Sequence, residues 1–378
     1  MGRGERGERG DHGDRVSAVA IDPDIRRAHT LPAWIYSDAA IHALQRERVF
    51  ARSWQWAADA DRVKVPGAVL PVSLLEGALD EPLLFARDRD DEIHCVSNVC
   101  THRGTIVCEQ AGVETFLRCR YHGRRFALDG RFLSMPEFEG VEGFPSPADD
   151  LRKVAFGQLG KLLFASLAPA CPFDELIGDV QRRCGFLPFD RAVFDASRSR
   201  EYLVQANWAL YCDNYLEGFH IPYVHAGLAQ AIDYGEYRCE VFRWSTLQLG
   251  VTQAGVEAFA LPAGHPDAGT NVGAYYWWLF PNTMLNLYPW GISLNVVHPL
   301  AVDRTKVAFL SFIWDESKLD RGAGAGLDRV EREDEVIVES VQRGTRSRIY
   351  ERGRYSPARE SGVHRFHQLL VEGMQRGK

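Results

Sequence analysis

The 378-residue chain has no apolar run of the roughly 18 residues that a membrane-spanning helix requires, and its densest apolar stretch, 275–280, is far shorter. Its start has no apolar segment of the kind a secretory signal carries, and Arg6 stands where a myristoylation pattern has Ser or Thr. These absences lead to the expectation of a soluble, cytoplasmic protein. Positive charge is also in deficit. Lys and Arg total 44 against 51 Asp and Glu, a net charge of −7, which argues against nucleic acid as a partner. The eight cysteines are too sparse for the disulfide framework of a small secreted domain. A dinucleotide loop is missing as well: Gly322, Gly324 and Gly326 lack the third spaced glycine and a surrounding βαβ unit, so 322–326 reads as a flexible linker.

What remains is an ordinary globular composition, with 46% hydrophobic and 25% charged residues. Residues 1–15, rich in Gly, Arg and Asp, read as a disordered tail. A helix is expected from an N-cap at Ser37 through Ile41, Leu44 and Phe50 to Trp54, within an N-terminal part spanning 16–55. Residues 56–167 alternate short apolar runs with turn signals, among them Asp129-Gly130, and predict a small all-β domain. After the Pro169–Pro172 joint, 168–378 mixes strands and helices. Aromatic runs at 275–290 predict strands that line or back a pocket, most of the rings being sheet core.

Inside the β unit, Cys100-Thr101-His102-Arg103-Gly104 and Cys119-Arg120-Tyr121-His122-Gly123 form two short loops, each with one thiol and one imidazole. Zinc sites usually pair their ligands as C-x₂₋₄-C and H-x₃₋₅-H, whereas a diiron cluster with one Cys₂ iron and one His₂ iron needs this mixed pairing. Structural zinc remains the alternative. The two loops resemble those of the Rieske [2Fe–2S] family. Thr105 and Tyr121 occupy the places where respiratory-chain members carry an extra disulfide, which points to the oxygenase or ferredoxin branch. Arg124 follows His-Gly, where many oxygenases have Trp. The other six cysteines are expected to be buried thiols.

Further along, Asp213-Asn214-Tyr215-Leu216-Glu217-Gly218-Phe219-His220 continues to Pro222 and His225. Offsets of 4 and 7 would set Asp213, Glu217 and His220 on one helical face, and a kink at Pro222 could swing His225 back toward His220. Two such imidazoles need only a carboxylate to form the triad of non-haem Fe(II) oxygenases. Asp328 and Glu331 read as a capping box for a later helix, whose apolar stripe would be Val330, Ile337, Val338 and Val341. Asp334 falls within that stripe, while Glu333 and Glu335 turn outward as solvated charges. Asp334 is therefore the expected third ligand, with Asp328 second. His364 and His367 are expected to pack on a helix rather than bind metal.

The pattern D-N-x-x-E-x-x-H-x₄-H, with E-x-x-D-x₄-E at Glu331, Asp334 and Glu339, resembles the large subunits of Rieske non-haem iron oxygenases over about 30–375. That resemblance implies an α+β fold: a small all-β Rieske [2Fe–2S] domain inserted in a larger catalytic domain, whose curved antiparallel sheet is covered by helices. It implies Cys100, His102, Cys119 and His122 as cluster ligands, and His220, His225 and Asp334 as ligands of a mononuclear Fe(II). Glu217 takes the place of the acid that links this site to a neighbouring subunit's Rieske histidine in a head-to-tail trimer. Asn214 matches a near-site Asn, and Asp213 is a further catalytic candidate. With no nucleotide or flavin fingerprint, electrons would come from an NAD(P)H-dependent reductase or a ferredoxin. The reaction would use O₂ to hydroxylate or demethylate a small molecule, an aromatic or alicyclic ring compound first and a choline- or carnitine-like quaternary ammonium second. A Rieske electron-transfer protein without oxygenase activity is the competing class.

Overall fold

The computed structural model describes residues 15–225, 227, 232–253, 255–325 and 327–376. The expected tail at 1–15 lies, apart from Arg15, outside them. The chain divides into two compact units: Trp54–Ala170, and Met1–Ser53 together with Cys171–Lys378.

The small unit is all-β. Strands β1 (Gln55–Asp59), β9 (Ala155–Leu159) and β10 (Leu162–Ser166) make one sheet, and β2 (Ala68–Leu74), β3 (Glu81–Arg87), β4 (Ile93–Ser97) and β5 (Gly112–Val113) a second, ordered β4-β3-β2-β5. Alternation along β2 and β3 explains how the second sheet is buried on both faces. Leu70, Leu83 and Phe85 join Leu163 of β10 in one core, while Val69 and Leu84 point to the opposite face. There they meet Cys100, Cys119 and Phe126, so the two Cys-His loops are anchored in a core of their own. The second loop joins β6 (Leu117–Arg118) to β7 (Arg125–Phe126), which pairs with β8 (Phe132–Ser134) through the expected Asp129-Gly130 turn; Gly130 has φ +88°.

The larger unit is built on a seven-stranded antiparallel sheet. Its strands are β11 (Val193–Val204), β12 (Arg238–Val241), β13 (Ser245–Val251), β14 (Val272–Leu279), β15 (Thr283–Tyr288), β16 (Gly291–Ala301) and β17 (Arg304–Ile313), in the order β11-β17-β16-β15-β14-β13-β12. Pro289-Trp290 makes the tight connection between β15 and β16, where Tyr288 pairs with Gly291. Among the described residues the unit also carries the helices α1 (Ala39–Arg48), α2 (Phe173–Cys184), α3 (Trp208–Tyr215), α4 (Ile221–Val224), α5 (Leu327–Thr345) and α6 (Ser361–Gln375). None of the described helices is long and apolar enough to cross a membrane.

Several expectations shift on contact with this fold. The first helix is capped by Asp38 rather than Ser37, its side chain accepting from Ala40 and Ile41 amides, and it breaks before a separate 3₁₀ turn at Phe50–Arg52. Gly322–Gly324 is a 3₁₀ turn rather than a loose linker, with Gly324 packed so closely that a Cβ would lie 2.3 Å from Trp290 Nε1. On α5 the apolar stripe is inverted. Val336, Ile337 and Val341 are exposed, and only Val338 of the expected face is fully buried. The buried face instead carries Glu331, which accepts from Tyr211, Gln342, which accepts from the Asn207 amide, and Thr345, whose hydroxyl donates to the Gln342 carbonyl of the same helix. Asp328 lies inside the first turn, bonded to Tyr202 and Arg332, and Glu331 accepts from Tyr211, so the two do not form a capping box. Of the six remaining cysteines, Cys95, Cys184 and Cys212 are buried, whereas Cys108, Cys171 and Cys239 are half-buried.

Candidate active site

Helix α3 begins where Asn207 accepts a hydrogen bond from the Ala209 amide, 3.0 Å, and its own amide is held by Gln342 of α5, 2.6 Å. Trp208 locks the helix against Phe50 and Phe366. The helix ends at Tyr215, earlier than the one-face reading of Asp213, Glu217 and His220 required. Glu217 lies beyond it and folds back over the next turn, accepting from the Phe219 and His220 amides. Pro222 sits in the first turn of α4, where its missing N–H costs nothing, so it starts a helix instead of kinking one. One turn later His225 closes α4, and its imidazole meets that of His220.

Asp334 of α5 completes a trio. His220 Nε2 and His225 Nε2 are 3.2 Å apart, and Asp334 Oδ1 is 3.4 Å from the first and 3.0 Å from the second. Such separations are those of neighbouring ligands that share one ion at roughly 2.1 Å from each. Both rings are oriented from behind. His220 Nδ1 meets Glu217 Oε1 at 2.6 Å, and His225 Nδ1 meets Glu333 Oε2 at 2.8 Å, leaving each Nε2 for the centre. Asn214 donates to Asp334 Oδ1, 2.6 Å. Burial opposes a charged His220, but Asp334 and Glu217 outweigh it and raise its pKa to about 9. The same contest raises His225, while the two imidazoles hold Asp334 low despite its burial. The donor set thus fits a divalent metal.

Glu333 was expected in solvent. One position away from Asp334, its longer side chain reaches around the helix to His225, and the Arg329–Glu333 pair that resembles an ordinary surface pair holds its other oxygen at 2.9 Å. Glu335 is half-buried rather than solvated. Asp213 is not brought to the trio; its carboxylate is held by His367 Nε2 at 2.8 Å and the Tyr36 hydroxyl at 2.9 Å. His367 and His364 take hydrogen bonds inside the unit, from Tyr355 and to the Asp22 carbonyl, in line with the packing role expected of them.

Above the trio is a cavity of about 820 Å³, its mouth included, walled by Tyr211, Tyr215, Tyr237, Tyr276 and Tyr288. The sheet register explains its polarity. Gln248, Tyr276, Asn286 and Ser293 are direct partners across β13, β14, β15 and β16, a polar row in otherwise apolar strands. Tyr275 and Trp277 face the other way, Trp277 Nε1 meeting Cys184 of α2 at 3.4 Å, as core. Glu331 also lines the cavity; burial and the Asp334 charge push its carboxyl well up, against the Tyr211 hydroxyl that donates to it at 2.8 Å.

In the small unit, the two loops have the same backbone trace. The Gly104 amide bonds the Cys100 carbonyl and the Gly123 amide that of Cys119, with both glycines at positive φ, +73° and +76°. The thiols of Cys100 and Cys119 are buried and within hydrogen-bonding reach of each other, and the rings of His102 and His122 lie 4.8 Å apart toward the surface. Two sulfurs inside and two imidazoles outside suit a cluster with one iron at each end better than a single tetrahedral zinc.

Family models match both regions: a Rieske [2Fe-2S] domain at 53–145 and the ring-hydroxylating alpha subunit catalytic domain at 189–376. A chloroplastic choline monooxygenase of Arabidopsis thaliana is 30% identical over 374 residues, covering 94% of this chain and 85% of the relative. The chain belongs to the Rieske oxygenase alpha-subunit family. It is a terminal oxygenase component with a Rieske [2Fe–2S] cluster and a mononuclear iron. The carnitine monooxygenase oxygenase subunit of Escherichia coli K12 is 27% identical, covering 92% of this chain and 94% of that one. The fold matches a crystallised quaternary ammonium Rieske monooxygenase (TM-score 0.73, 21% identity, 96% and 98% covered). It also matches a Rhodococcus naphthalene 1,2-dioxygenase (TM-score 0.70, 18% identity, 92% and 94% covered). The α+β class that the resemblance implied, with a Rieske domain and a sheet-based catalytic domain, agrees with these neighbours.

Proposed function

We propose that this Rieske oxygenase monooxygenates a small quaternary ammonium compound, with Cys100, Cys119, His102 and His122 as cluster ligands and His220, His225 and Asp334 as iron ligands. The observation that carries the substrate class is the cavity wall: five tyrosines and the carboxyl of Glu331 around a polar strand row. Tyrosine faces attract an onium group, whose charge would in turn favour the ionised form of Glu331 that burial disfavours, and these polar groups cost free energy against a bare hydrocarbon. Relatives named for choline and carnitine oxidation support this reading over the ring-hydroxylating one that the motifs suggested first.

When bound at the trio, iron supplies the activation of O₂ with electrons passed from the cluster. The chain's own residues do the rest. Glu217 and Glu333 keep His220 and His225 oriented, and Asn214 steadies Asp334. Burial keeps the hydroxyls of Tyr211, Tyr215 and Tyr288 protonated, so they present neutral aromatic faces and donors to a cation. A separate reductase or ferredoxin supplies the electrons. In a head-to-tail trimer, Glu217 would link His220 to His122 of a second copy.

Oxygen uptake with a generic reductase tests the substrate class. The panel is choline, a trimethylammonium carboxylate, their neutral tert-butyl analogues and an arene. Product from the cations alone is expected. Equal oxidation of a tert-butyl analogue, or product from the arene, contradicts the reading.

A further inference from the structure

Arg124 is among the largest fully buried side chains of the chain, only 2% exposed, although arginine is rarely buried this completely without a compelling partner. It follows directly on the second Cys-His loop, and its carbonyl accepts the Cys119 amide at 2.9 Å. Its guanidinium lies over three rings, Phe132 at 4.9 Å, Phe144 at 5.5 Å and Phe126 at 5.7 Å. One terminal nitrogen donates to Asp149, at 2.6 Å to the carboxylate and 3.2 Å to the carbonyl. Its Nε has no hydrogen-bond partner among the described residues.

The ion pair is lopsided. The Asp149 side chain is 20% exposed and shared with Ser146, whose amide and hydroxyl it accepts at 2.8 and 3.0 Å, so its charge sits on the wet side and that of Arg124 on the dry side. The Asp149 carbonyl also accepts the Thr101 hydroxyl at 2.7 Å, so Arg124 and the first loop meet on one atom.

We propose that Arg124 is a positioning residue that raises the reduction potential of the cluster by holding a buried positive charge beside its ligand loops. The inference rests on the ligand assignment above. Reduction adds one electron from the external donor, and with it one negative charge, with no bond made or broken in the protein. A cation in a low-dielectric shell stabilises that added charge far more than it would in water. The cluster potential responds to local charge, hydrogen bonding and exposure, and Arg124 supplies the first of these.

The test is a mediator titration of the full, cluster-loaded chain, followed by EPR. For Arg124→Met, the equilibrium constant for reduction is expected to fall about tenfold, a shift of about 59 mV to lower potential for one electron, with iron and sulfide content unchanged. Arg124→Lys is expected to restore most of the shift. Asp149→Asn keeps an acceptor for Arg124 but removes the opposing charge, so the potential is expected to rise. If Arg124 only clamps the loops, Asp149→Asn leaves the potential unchanged or lowers it, and an intact Arg124→Met cluster at the native potential does the same damage. Where Arg124→Met fails to hold its cluster, the sign of the Asp149→Asn shift decides alone. The ligand assignment is tested separately by Cys119→Ala, in which the cluster spectrum must vanish; a retained cluster overturns that assignment, not the electrostatics.

Discussion

Glu217 and Glu333 each hold the back of one imidazole, and loss of such an orienting carboxylate typically costs 10–100-fold in metal affinity or activity. Glu333→Gln is expected to weaken iron binding by about that factor, measured by chelator competition, while the cluster spectrum stays native. Unaltered iron affinity would remove Glu333 from the site. Glu217→Gln is expected to keep both metals yet turn over about 100-fold more slowly, since the residue also lies on the inferred route between copies; full coupled activity would exclude that route. Gly218 acts by having no side chain. A Cβ there would lie 2.2 Å from the Tyr237 ring, so Gly218→Ala must displace a cavity wall and is expected to cost about 1–3 kcal/mol in urea unfolding. The motif carries the linking role of Glu217, but not the roles of Glu333 and Gly218. Glu333 was read as an outward, solvated charge, because spacing says where a Cβ points and not how far a long side chain bends back.

At the scale of elements, the segment from α3 through α4 does most of the assembling. Its order of residues was legible, but its shape was not: the reading extended one helix through Glu217, while the chain ends α3 at Tyr215 and restarts at Ile221. The His220–His225 meeting survives because Glu217 caps the turn that joins them. Helix α5 misled in the opposite way. Val330, Ile337, Val338 and Val341 suggested a buried stripe, yet Ile337 and Val341 are exposed and the buried side is largely polar, because this helix faces a metal-and-substrate site and not a hydrocarbon core. The charges gathered there give a pH signature. His220 is raised to about 9 in the metal-free chain, so its stabilising contribution is complete below the ordinary histidine pKa of about 6.5 and is lost as pH rises through 9. Thermal melts of metal-free protein are therefore expected to fall from pH 6.5 to 9.5 more steeply than those of His220→Gln. Identical slopes would show that the His220–Asp334–Glu217 contacts do not persist without metal.

For the whole molecule, the two Cys-His loops, their β surroundings and the later His-His segment are enough to place the chain among Rieske oxygenases from sequence. Metal ligation ties a few residue types to a few spacings, and that constraint survives in sequence. Substrate preference was not legible, because the cavity wall is written across strands. Gln248, Tyr276, Asn286 and Ser293 are neighbours only through sheet register, and nothing in their sequence spacing announces a single row. The exposed Tyr223, Val336 and Ile337 belong to the same scale. An exposed apolar patch is a candidate contact between copies, so Ile337→Asp is expected to shift the chain toward monomer by analytical ultracentrifugation, and an undisturbed native assembly would place the interface elsewhere. The central claim joins cluster, iron and onium substrate in one chain, and a single-turnover reaction with ¹⁸O₂ tests it most directly. Chemically reduced, iron-loaded protein, mixed with a trimethylammonium substrate and no reductase, is expected to form product carrying one ¹⁸O, and His225→Ala to form none while its cluster still reoxidises slowly. Unlabelled product, or labelled product from the His225→Ala chain, would contradict the account.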